Sequence, residues 1–102
     1  MSMRLIIGPR CSGKTTALIQ ESAETGVPII APSMAMANHI KTIATEQGIY
    51  IPEPTNINKI VNHGGRPGKY LIDELDMCLR QLGIDPITAT MWDGSDAKAR
   101  EW

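Results

Sequence analysis

The chain contains no phenylalanine, and tryptophan and tyrosine together supply only 4% of its residues. Without aromatic anchors, the core has to be assembled from Ile, Leu, Val, Met and Ala packed closely together. Cysteine is almost as scarce. Cys11 and Cys78 stand alone, with no CxxC pair and no histidine at ligand spacing, which excludes a zinc site and a disulfide framework. Both are read as reduced thiols, and a cytoplasmic location is expected. No apolar run is long enough to span a bilayer, so no membrane partner is expected. The formal net charge of -1 excludes a global field that would gather nucleic acid.

What is present is enough for one domain of 102 residues with one core. A hydrophobic content of 42% and a charged content of 21% belong to a globular chain rather than a disordered one. The charge is uneven. Lys and Arg are in surplus before Leu71, and acids after it, at Asp73, Glu74, Asp76, Asp85, Asp93 and Asp96. The domain is expected over 1–92, with a polar tail over 93–102.

The most informative stretch is Gly8-Pro9-Arg10-Cys11-Ser12-Gly13-Lys14-Thr15, followed by Thr16. It is G-x-x-x-x-G-K-T, the phosphate-binding pattern called Walker A. Its context is a short apolar run, Met3 to Ile7, expected as a buried parallel strand, and a helix expected from Thr15 to Ala23. The pattern implies a nucleoside triphosphate, ATP, with Mg²⁺. Gly13 can take backbone angles that a side chain penalises. The N–H groups from Arg10 to Thr15 can form a nest for phosphate oxygens, reinforced by the positive end of the helix. Lys14 would neutralise the β- and γ-phosphates, and the Thr15 hydroxyl would reach Mg²⁺.

Further along, strands and helices alternate. Val27 to Ala31 reads as a strand, and a helix follows with Ser33 as its cap and Met36, Ile40, Ile43 and Ala44 at helical spacing, ended by Gly48. Ile49 to Ile51 is a strand candidate closed by Pro52 and Pro54, and Thr55 is expected to cap a short helix from Asn56 to Val61. A turned loop covers His63 to Gly68. Lys69 to Asp73 is a strand, Glu74 to Leu82 a helix ended by Gly83, and Ile87 to Met91 a last strand. Alternation of this kind implies an α/β fold with a parallel sheet and helices on both faces.

Leu71-Ile72-Asp73-Glu74 reads as the second half of the same site, an apolar strand ending in two acids at the edge where such sheets bind ligands. Asp73 would hold Mg²⁺. Glu74 would orient and polarise an attacking water. The plainer alternative makes both of them acids favoured by a helix N-terminus.

Asp73-Glu74-Leu75-Asp76 resembles the DExD box of superfamily 1 and 2 helicases. Ala31 to Ala37 is similar to their motif Ia, and Thr88-Ala89-Thr90 to their motif III, in the same order along the chain. The resemblance implies a RecA-like P-loop NTPase core, a minimal three-layer sandwich. In it the strand bearing Thr88 and Thr90 lies between the Walker A strand and the Asp73 strand, and a threonine there senses the γ-phosphate. It also implies a link to DNA or RNA processing. Helicases close two such domains over ATP, and this chain has one. It looks like the stripped-down ATPase cores of small phage-encoded proteins. Hydrolysis would then need a homo-oligomer or a protein partner that supplies an arginine; Arg10, Arg66, Arg80 and Arg100 are the arginines that could act in trans. A regulatory binding module that uses ATP without turning it over is the alternative.

The Walker A stretch is also similar to that of thymidine kinases, where Glu74 would map to the catalytic base. Those enzymes carry a zinc-bearing lasso for which this chain lacks the cysteines. A GTPase is disfavoured because Asn58-Lys59-Ile60-Val61 lacks the Asp that reads guanine. His39 is expected to be partly exposed, Met34 and Met36 to pack a core, and Cys78 to face inward. Asp76 is open between the magnesium network and a solvated helix face.

Overall fold

Three consecutive small and branched apolar residues, Ile29–Ala31, form the centre of the molecule. In the computed structural model, which describes residues 3–9, 13–62 and 68–91, they make strand β1, and all three are buried. Side chains of a strand point alternately to its two faces. Ile29 and Ala31 join one cluster with Ile19, Ala37, Ile40 and Ala44, while Ile30 is buried on the opposite side of the sheet. Both faces of β1 are therefore covered, the usual condition of a strand in a parallel sheet.

The remaining elements, in chain order around β1, are α1 (Lys14–Thr25), α2 (Met34–Glu46), β2 (Thr55–Asn56), α3 (Ile57–Asn62), β3 (Leu71–Ile72) and α4 (Leu75–Gln81). The sheet is parallel, in the order β2-β1-β3, with Ile30 opposite Thr55 and Ile72 opposite Ile30. Helices α1 and α2 pack on β1 and on each other, and α3 touches β2 and α4. This is a small α/β fold with a parallel sheet. No helix among the described residues is long and apolar enough to cross a membrane.

Local chemistry explains where the elements begin and end. Ser33 Oγ accepts from the Met36 N–H at 3.2 Å and starts α2 as expected. Gly26 (φ 72°) ends α1 by donating to Ser22 O. The short helix α3 is capped by Asn56, whose Oδ1 accepts from Lys59 N–H at 2.7 Å. Thr55, the expected cap, is instead held in β2 by its pairing with Ile30.

Three expected strands differ. Ile49 and Ile51 pack against the core without joining the sheet, and Tyr50 between them is exposed. The pairing falls after Pro54, since a proline lacks the N–H that a ladder needs but can precede a strand. Met3 to Ile7 is not a strand, and Met3, Leu5, Ile6 and Ile7 are all substantially exposed. Ile87 to Met91 is likewise outside the sheet, with Ile87 93% exposed. β3 is thus an edge strand, and neither run pairs with it among the described residues.

Candidate functional site

The site is built at the end of β3 and the start of α1. Gly13 sits at φ 87°, a left-handed conformation that a side chain would strain, and its carbonyl accepts from Ala17 N–H at 2.9 Å. Helix α1 begins at the next residue with no side-chain cap. The first N–H groups of any α-helix lack partners within it, so Lys14, Thr15 and Thr16 carry backbone donors that α1 itself does not satisfy. Lys14 Nζ is turned back on the loop and donates to Gly8 O at 2.5 Å and Pro9 O at 2.6 Å. Arg10, Cys11 and Ser12, the middle of the expected phosphate loop, lie outside the described residues.

Asp73 is delivered by the sheet. Its N–H donates to Ile30 O at 2.9 Å, which continues the β1–β3 ladder one residue beyond β3. Only 7% of the residue is exposed. Burial, and then the neighbouring Glu74 carboxylate, push its carboxyl above the ordinary value. A hydrogen bond with the Thr15 side chain and the charge of Lys14 act the other way. Thr15 and Lys14 thus act on Asp73 although they lie far from it in the chain.

Glu74 is the sole non-glycine residue with positive φ among those described (φ 55°, ψ 65°). A glutamate pays for this conformation in steric strain. The kink ends the strand direction and starts α4 at Leu75, one residue later than expected, and leaves the Glu74 side chain exposed. An open groove of about 850 Å³ runs between the Met3–Gly8 segment and β3, with Lys14, Asp73 and Glu74 among its walls. That volume falls within the range of ligand sites, roughly 300–1,000 Å³.

Of the other expected participants that are described, Asp76 alone borders the groove. Thr88 and Thr90 are exposed and do not line the groove. Asp76 receives Arg80 at 3.1 Å, and Arg80 also reaches Asp85 at 3.3 Å, so that arginine is held on the surface of α4. Arg4 pairs with Glu21. Met34 and Met36 pack on the core and His39 is exposed, as expected. Arg66, Arg100, His63, Trp92 and the tail 93–102 lie outside the described residues.

Cys78 faces inward, 2% exposed, and its Sγ donates to Asp73 O at 3.4 Å. Burial first, and then the Asp73 charge, push its thiol up to about 11, so it is a neutral donor near pH 7. The sequence reading gave it no part in the site. Its signal was its place one helical turn after Glu74.

Among the described residues no cluster of three or more His, Cys, Asp or Glu side chains could hold a metal alone. The Thr15–Asp73 pair still suits Mg²⁺, which binds through one or two protein oxygens and takes the rest from water and phosphate. Comparison with protein-family models, with curated proteins and with solved structures finds no match for this chain.

Proposed function

We propose that the chain is a minimal P-loop domain, RecA-like in plan, that binds ATP with Mg²⁺ and hydrolyses it when a second copy or a protein partner supplies an arginine. The observation that carries this reading is the convergence of Lys14 and the buried Asp73 on one groove, at the helix start and strand end that the two motifs predict, with Thr15 near enough to act on the Asp73 carboxyl. Two acids alone would be unremarkable at a helix N-terminus. A buried carboxylate that feels a threonine side chain and a lysine charge from the other motif is a less ordinary arrangement.

In this reading Lys14 exchanges Gly8 O and Pro9 O for phosphate oxygens, and the open N–H groups of the first turn of α1 take further oxygens. Thr15 and Asp73 would hold Mg²⁺, whose charge offsets that of the β- and γ-phosphates. Glu74, exposed beside them, accepts a proton from the attacking water. The water oxygen then bonds to the γ-phosphorus, the bond to the bridging oxygen breaks, and ADP and phosphate leave. What this chain does not offer near the site, among its described residues, is a free arginine, since Arg4 and Arg80 are engaged locally. A link to DNA or RNA processing follows from the DExD resemblance alone. The same engaged arginines favour the alternative, a regulatory module that binds ATP without turnover.

The test is ATP binding by calorimetry. Lys14→Ala removes a charged donor worth about 1.5–3 kcal/mol per hydrogen bond. It is expected to abolish measurable binding while the domain stays folded. Equal affinity in the variant and the wild type removes the proposal.

A further inference from the structure

The Asp73–Glu74 dipeptide has to satisfy two demands. Its first residue ends a strand, with its N–H on Ile30 O at 2.9 Å, while its buried carboxylate lies under the influence of Thr15 and Lys14. Its second residue turns through a left-handed conformation, φ 55° and ψ 65°, that a glutamate does not hold unaided. Something has to keep the turn in place. Both carbonyls of the dipeptide are taken by one residue. The Cys78 N–H donates to Glu74 O at 3.0 Å, and the Cys78 thiol donates to Asp73 O at 3.4 Å. The first bond belongs to any helix. The second depends on the side chain. A thiol is a weak donor, but this one is 2% exposed, and leaving a buried acceptor unpaired costs more than the bond itself gains.

We propose that Cys78 is a positioning residue: its thiol fixes the Asp73 carbonyl and thereby aims the Asp73 carboxylate at Thr15 and at the Mg²⁺ of a bound nucleotide. The inference rests on the reading of this site as a magnesium–nucleotide site. Cys78 touches neither metal nor substrate. It acts on Asp73, as outer groups that orient a metal ligand do, and their loss commonly lowers metal affinity about 10- to 100-fold.

The experiment measures ATP affinity of the full chain by calorimetry, once with Mg²⁺ and once with a chelator, and takes the ratio of the two. Cys78→Ala removes the donor. Cys78→Val removes it while keeping the buried volume filled, and Cys78→Ser keeps a donor. The expected result is a ratio about tenfold lower in the alanine and valine variants, with unchanged affinity in chelator, and a wild-type ratio in the serine variant. Ile40→Val, which loosens the core away from the site, is expected to leave the ratio unchanged. A wild-type ratio in both donor-free variants overturns the inference, as does an equal loss in Cys78→Ser or in Ile40→Val. If neither donor-free variant folds, Cys78→Ser decides: a retained ratio supports the inference and a tenfold loss overturns it. Wild type without measurable ATP affinity overturns the site reading and this inference together; wild type that binds, beside donor-free variants of unchanged ratio, overturns this inference alone.

Discussion

The central strand β1 and its edge neighbour β3 bury different things. Around β1 the buried set is aliphatic, with Ile19, Ile29, Ile30, Ala31, Ala37, Ile40 and Ala44, except for Ser22, a neutral hydroxyl satisfied by donating to Val27 O. Around the end of β3 it is Asp73 and Cys78, with Leu71 and Ile72 half-covered and the apolar run Met3–Ile7 open across a groove. The first region contributes burial, which is the main favourable term in folding. The second keeps a desolvated carboxylate and a left-handed glutamate, both of which cost stability. Stability and chemistry are thus separated along the sheet, and the β1 side holds the frame against which the β3 side is strained.

The sharpest way to break that comparison is to cut each side by the same chemistry. Ile40→Ala removes a fully packed side chain from the β1 core and is expected to cost about 2–5 kcal/mol in denaturant unfolding. Ile87→Ala removes the same atoms from a residue that is 93% exposed and is expected to stay within about 0.5 kcal/mol of wild type. A loss above that at Ile87 would mean that the segment is buried in solution and that the β3 edge is covered there.

The β1 side was also the legible side. Ser33 before an apolar period, and Gly48 after it, specify α2 through a hydroxyl cap and a left-handed turn, both local effects. Met3–Ile7 and Ile87–Met91 read as strands because an apolar run says only that a segment avoids water. Whether it pairs depends on a neighbouring edge far away in the chain, which local pattern does not contain. Thr55 and Asn56 are both able to cap a helix; the long-range pairing of β2 with β1 carries the strand through Asn56, so the helix starts after it and Asn56 is the residue left to cap. At the site, Lys14, Thr15, Asp73 and Glu74 were legible because motif order constrains them. The kink at Glu74 was not, because left-handed backbone is expected at glycine or asparagine. The thiol on Asp73 O was not legible either, because it joins two residues only after that kink has formed.

Glu74 allows strain and chemistry to be separated at one position. Glu74→Gln keeps the shape and loses the base; where turnover is measured with its partner present, it is expected to fall about 10²-fold or more, with ATP binding retained. Glu74→Gly loses the same base but relieves the left-handed penalty, and is expected to be more stable than wild type by about 1 kcal/mol. Opposite movements of turnover and stability in the glycine variant would show that the site is held at the expense of the fold. A glycine variant less stable than wild type would show that the Glu74 side chain contributes contacts that outweigh the strain.

The smallest effect is the pH dependence set by Asp73. Its folded carboxyl titrates above the ordinary 3.8, chiefly because burial disfavours the charge. Between the unfolded and folded values the native chain therefore holds more protons than the unfolded one. By linkage, stability falls as pH rises through that window, and the contribution present below 3.8 is gone once the folded carboxyl is ionised. This is the reverse of an ion-paired surface aspartate. The Thr15 hydrogen bond and Lys14 reduce the effect without reversing it. Asp73→Asn removes the titration and keeps a group that can meet the Thr15 hydroxyl. In chelator, without nucleotide, it is expected to gain on wild type as pH is raised from about 4 to 7, with the two chains closest at the acid end. Denaturation midpoints across that range measure the difference. If the two curves run parallel, the carboxylate is solvated in the free protein, and the β3 side does not carry the electrostatic strain that sets it apart from β1.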